Sequence, residues 1–161
     1  MRVLVIGLGV AMLFILSGCT GPTGVDDAEW MTPPEAVVIV DGDTYETVRG
    51  SFCWSNKRQG GCEDHSGSVD LLANKEPIIV APGEEITIDI PDGPEPSEYS
   101  VDFSLTDQYE NIVVLAVENK FSAPTEEGLY YFSYFARWEN KTYDGDAYYA
   151  FLIEVDKSAR E

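Results

Sequence analysis

The most reactive side chains of the sequence lie in one short stretch. Residues 50–67, GSFCWSNKRQGGCEDHSG, hold Cys53, Cys62 and the single histidine, His65. Three chemistries can be built from them. Zinc would accept Cys53, Cys62 and His65 with Glu63 or Asp64, but a C-x8-C-x2-H spacing lacks the second paired hook of a common site. Thiol catalysis needs an activated thiolate and a base; His65 stands three residues from Cys62, with no third residue to orient it. A disulfide needs only proximity, and the intervening residues, including Gly60-Gly61, can turn the chain back. Closing a loop of about ten residues contributes roughly 2.5–3 kcal/mol in the chain-entropy picture. The spacing favours the disulfide, with His65 as a solvated loop residue.

Other chemistry-bearing residues read more blandly. Asp41-x-Asp43 and Asp144-x-Asp146 each bracket a glycine; calcium needs six to eight oxygens, so both pairs read as turn chemistry. Asn140-Lys141-Thr142 fits a glycosylation sequon by chance. Trp54, Trp138 and Tyr143 are candidates for stacking sugars if they are exposed. There is no glycine-rich phosphate loop, no G-x-S-x-G elbow and no placeable carboxylate pair, so no catalytic residue, resident metal or cofactor is assigned.

The amino terminus carries a different message. Arg2 precedes an apolar run from Val3 to Leu16, the length of a signal-peptide core and short of the ~20 residues of a spanning helix. A buried amphipathic helix would show a polar stripe, which this run lacks. The run ends in Leu16-Ser17-Gly18-Cys19, which resembles the lipobox of bacterial lipoproteins. The resemblance implies a signal peptide over residues 1–18, diacylglyceryl transfer to Cys19, cleavage before it, and a membrane-anchored chain facing away from the cytoplasm. Two acyl chains anchor stably where one binds only marginally. With Cys19 assigned to lipid, an even pair of cysteines remains for the exported domain.

Charge narrows the partners. Ten basic residues face 29 acidic ones, a net charge of −19, and loss of residues 1–18 removes one base and no acid. Nucleic acid is excluded as a partner, because its phosphates need basic neutralisation, and anionic wall polymers are repelled. Disorder is excluded in turn by a 44% hydrophobic composition with nine tyrosines, seven phenylalanines and three tryptophans.

Residues 20–35, rich in Gly, Pro and Asp, read as a flexible tether reaching about 20 Å from the anchor. Trp30 and Met31 are unusual there and are expected to touch either the membrane interface or the domain, with docking on the domain slightly favoured. Beyond the tether the pattern is strands. Ala36–Val40 and Asp43–Val48 flank Asp41-Gly42, a hairpin signal. Ser68–Ala73 reads as a strand, Leu71–Lys75 as at most one helical turn. Pro77–Ile90 is broken at Pro82-Gly83, with Ile86, Ile88 and Ile90 alternating against polar neighbours. Tyr99, Val101, Phe103 and Leu105 share one face. Glu110–Glu118 reads as a buried strand, Gly128–Trp138 as a central one, and Ala147–Val155 closes the domain. Seven to nine short strands with regular turns imply an all-β, antiparallel two-sheet sandwich.

Glu126-Glu127-Gly128-Leu129-Tyr130-Tyr131-Phe132 resembles the immunoglobulin-like pattern acidic-x-small-x-Tyr-x-Cys, with Phe132 in place of the cysteine. That resemblance implies a tyrosine corner at Tyr130. Taken whole, residues 36–155 also resemble small uncharacterised lipoproteins of Gram-positive bacteria. The shared features are Phe52-Cys53-Trp54, a second cysteine about ten residues on, Ala123-Pro124-Thr125 before Gly128-x-Tyr130-Tyr131, and Gly145-Asp146-Ala147-Tyr148-Tyr149. It implies no activity. The organisation expected is signal peptide 1–18, lipidated tether 19–35, an immunoglobulin-like sandwich over 36–157 and a short tail, 158–161. The function expected is a non-catalytic surface module binding a protein or wall partner. Carbohydrate binding, or thiol and metal chemistry at Cys53, Cys62 and His65, are the alternatives.

Overall fold

The computed structural model describes residues 32–57, 59–105, 112–114 and 116–160. The signal peptide, Cys19 and the Trp30-Met31 pair lie outside the described residues.

The chain folds into β1 (Val37–Val40), β2 (Asp43–Glu46), β3 (Val48–Asn56), β4 (Gly60–Glu63), a helical turn α1 (Ser68–Leu71), β5 (Ile78–Val80), β6 (Glu85–Asp89), β7 (Glu98–Ser104), β8 (Ile112–Val114), β9 (Lys120–Ser122), β10 (Gly128–Glu139) and β11 (Tyr143–Val155). One sheet has the order β2-β1-β6-β9. The other runs β4-β3-β11-β10-β7-β8, with β5 also on β11. Every pair is antiparallel except β5 with β11. The two sheets face each other as an all-β sandwich.

Strand order agrees with the immunoglobulin-like expectation: β8-β7-β10-β11 corresponds to the C′CFG sheet and β1-β6-β9 to the ABE sheet. The strand count exceeds the expected seven to nine because residues 43–77 are inserted after the first strand. This insertion adds β2 to one sheet and the β3–β4 hairpin, beside β11, to the other. Along the same edge of β11, β3 pairs as far as Ala150 and β5 pairs in parallel with Ile153–Val155.

Local chemistry sets the turns. Asp41 and Gly42 take φ of 50° and 86°, the two positive values a type I′ hairpin needs. Asn140 Oδ1 accepts from the amides of Thr142 and Tyr143 at 2.7 and 3.1 Å, so the sequon is the side-chain-closed turn between the two longest strands. Tyr130 Oη donates to the Glu126 carbonyl at 2.8 Å, the tyrosine corner that the sequence pattern implied.

The core lies between the sheets. Val38, Ile86 and Ile88 of the smaller sheet meet Phe132, Tyr134, Trp138, Tyr149 and Phe151 of the larger. Phe132 stacks on Phe151 with ring centroids 5.1 Å apart, and Phe121 joins Phe132 from the opposite sheet at 5.2 Å. A second, small cluster lies on the outer face of the large sheet, where Leu72 packs with Ala150 and Leu152. Here the structure departs from expectation: Ser68–Ala73 is no strand, because Leu71 and Leu72 of one helical turn cap this outer face.

The end of the segment read as tether is also packed. Pro33 and Pro34 are buried. Tyr149 Oη donates to the Pro34 carbonyl, and Arg49 Nη1 donates to the Pro33 carbonyl at 3.0 Å and to Glu35 at 2.7 Å. At the carboxyl end the expected tail carries a 3-10 turn, Lys157–Arg160, started by Asp156 accepting from Ser158.

Candidate functional site

Cys53 and Cys62 sit directly opposite each other on β3 and β4 and are joined as a disulfide. Both are exposed, on the edge hairpin of the large sheet. With the sulfurs bonded to each other, neither is a thiolate available to a metal or a substrate. His65 lies beside them, its amide donating to Ser51 Oγ at 2.9 Å and its Nε2 lying 3.5 Å from Glu63. Among the described residues no group of three His, Cys, Asp or Glu side chains is placed to hold a metal ion. The opening stretch is a stapled hairpin.

The aromatic candidates need correction. Trp54 and Trp138 are 3% and 1% exposed, so neither offers a face to a sugar. They meet edge-on with centroids 5.4 Å apart, Tyr143 stacks on Trp54 at 5.3 Å, and Trp138 Nε1 donates to the Pro94 carbonyl at 2.8 Å. The cause is parity. Trp138 falls on the same face of β10 as Tyr130, Phe132 and Tyr134, which is the core face. Asp144 and Asp146 are likewise strand residues rather than turn residues, flanking Arg137 at 3.4 and 3.6 Å.

The structure exposes a site that sequence reasoning missed. The segment read as a buried strand contains β8, the outermost strand of the large sheet, whose free edge pairs with no described strand. Ile112 is 48% and Val113 75% exposed, with Leu105 and Val117 exposed nearby. Beside β8 a cleft of about 450 Å³ opens between the sheets, lined by Phe103, Leu105, Ile112, Val114, Pro124 and Tyr130 among others. Ser122, Thr125 and Glu126 line it as well, so its wall mixes apolar and polar groups and carries one carboxylate.

Behind that edge lies Asp102 of β7, facing outward beside Val113 and Ser133. It is half-buried, and desolvation pushes its carboxyl above the usual range. None of the described ion pairs involves it.

An unpaired apolar edge strand beside a groove can accept an extended chain as a further strand, with main-chain hydrogen bonds for affinity and the groove for alternate side chains. Comparison of the sequence and fold with protein-family models, curated proteins and solved structures gave no match.

Proposed function

We propose that the chain is a lipid-anchored, non-catalytic module displayed outside the membrane, and that it binds a protein partner along the β8 edge and the adjoining cleft. The exposed Ile112–Val114 edge carries this reading. Soluble monomers blunt their edge strands with charge, proline or cover, and a large apolar residue that is 75% exposed on such an edge is an aggregation risk unless a partner covers it. The lipobox and the apolar leader support the anchor. So does the charge of −19, which opposes adhesion to an anionic surface without acyl chains.

The binding reading is tested by placing a photo-crosslinking amino acid at Val113, and at Tyr45 on β2 as a control, in the full chain in its host cells. Illumination should give a discrete adduct from position 113 that is absent from position 45. The same products from both positions, or none from 113, would overturn it. The anchoring reading is tested by mass measurement of the amino-terminal peptide and by fractionating Cys19→Ser. A diacylglyceryl mass on Cys19, and release of the variant from the membrane, are the expected results.

A further inference from the structure

Among the described carboxylates, Asp102 is the one that burial pushes above its usual range. A carboxylate drawn partly out of water is normally compensated by a cation or by several donors. Arg137, the basic residue on the same face of β10, is already held between Asp144 and Asp146. The register gives Asp102 a particular setting. Ser133 stands directly opposite it on β10 and Val113 opposite it on β8. Tyr131 and Phe135 are the diagonal neighbours on the same face, within side-chain reach of it in an antiparallel sheet.

A half-buried carboxylate diagonal to two aromatic residues and opposite an exposed valine selects against anions and gives a neutral group little. It fits a cation that also stacks. Guanidinium does both, being planar, weakly hydrated and able to lie on an aromatic face while forking onto a carboxylate. The distance from a chain added beside β8 to β7 is two interstrand spacings, roughly 10 Å. An arginine stem lying over Val113, together with the Asp102 side chain, covers that gap. The net charge of −19 favours the approach of a basic segment over a second copy of this acidic chain.

We propose that Asp102, with Tyr131 and Phe135, is the receptor for an arginine side chain of an extended partner segment lying along β8. The proposal rests on the reading of β8 as the binding edge. It adds the chemistry by which the partner is selected.

The test follows the Asp102 side-chain carboxyl by carbon NMR in the full chain in detergent micelles. N-acetyl-arginine methylamide is the probe, and the neutral citrulline analogue is the control. Asp102 should respond to the arginine probe at a concentration about fivefold lower than exposed Asp41 and Asp64 do, the advantage of a partly desolvated cation–π and carboxylate contact. The Tyr131 and Phe135 ring signals should shift with it. Citrulline should leave all of them in place, and Asp102→Asn should abolish the ring shifts while the rest of the spectrum shows an intact fold. A response at Asp102 no stronger than at Asp41 and Asp64, or an equal response to citrulline, overturns the inference. That result leaves the crosslinking outcome at Val113 untouched. A selective response at Asp102 without a crosslink at Val113 keeps the arginine receptor and removes the strand pairing.

Discussion

Gly145 is the position where one added methyl group should do most damage. It lies in β11 directly between Trp54 on β3 and Trp138 on β10, and the missing side chain is the gap across which the two indoles meet. A Cβ placed there would stand 2.5 Å from the Cys53 carbonyl oxygen, 2.6 Å from Trp54 Cε3 and 3.0 Å from Trp54 Cα. Two of those three atoms are backbone of the paired strand. The third belongs to an indole held by Tyr143 on one side and Trp138 on the other. None can yield cheaply, so Gly145→Ala should sit at the upper end of overpacking costs, about 3 kcal/mol. For a domain of this size that is a fall in Tm of roughly 10 °C. Gly61 is the internal control, because it pairs with the same Trp54 from the other side and has nothing within 4 Å of an added Cβ. Gly61→Ala should stay within about 0.5 kcal/mol of wild type. Urea unfolding followed by tryptophan fluorescence measures both. Equal stability of the two variants, or a Gly145→Ala loss below about 1 kcal/mol, would refute the steric argument.

Three further outcomes are expected. Tyr130→Phe removes the hydroxyl bond to Glu126 and should cost about 1 kcal/mol in the same unfolding assay. Replacing Cys53 and Cys62 together by alanine should cost up to about 3 kcal/mol. Because the bridge closes one edge hairpin, hydrogen exchange should speed up in β3 and β4 and little elsewhere. Asp102 is predicted to make stability pH-dependent with a definite sign. Its folded pKa is raised above the ordinary 3.8, so the native state holds the proton more tightly than the unfolded one, and stability falls as pH rises from 3.8 through the raised value. Asp102→Asn should therefore melt higher than wild type at pH 7, and the difference should vanish below pH 3.8. A difference independent of pH would contradict that assignment.

Much of the fold was legible because it is written in parity. Ile86, Ile88 and Ile90 alternate in the sequence and are buried together in the structure. Asp41-Gly42 and Tyr130 announce a turn and a corner through chemistry that few other residues can supply. The limits are physical too. Gly128–Trp138 is apolar or aromatic on both faces, so the pattern separates its two faces without telling which is the core; Trp138 is inside while Phe135 pairs with Tyr148 outside. A short β-branched run such as Ile112–Val114 suits a central or an edge strand equally well, since the difference is made by pairing partners distant in sequence. Ser68–Ala73 reads as a strand in the sequence for a related reason: periodicity cannot tell a short buried strand from a helical turn.

The edges show why the β8 region, rather than the cysteine hairpin, is the better place to look for function. Free edges elsewhere among the described strands are defended. β2 exposes Asp43 and Glu46, β4 carries Glu63 and is stapled by the disulfide, and β9 presents Lys120 paired with Glu85. Pro77 and Pro82 bracket β5. β8 and β5 each present three consecutive β-branched residues with neither charge nor proline in the strand, but β5 is bracketed by prolines whereas the sequence places none beside β8. The uncompensated carboxylate, an unrelated kind of violation, stands one strand inward and directly across from its most exposed valine. Natural sequences keep local and global preferences consistent except where function demands otherwise. Two independent departures on neighbouring residues therefore mark one surface, and a basic extended partner resolves both at once, covering the valine and neutralising the aspartate.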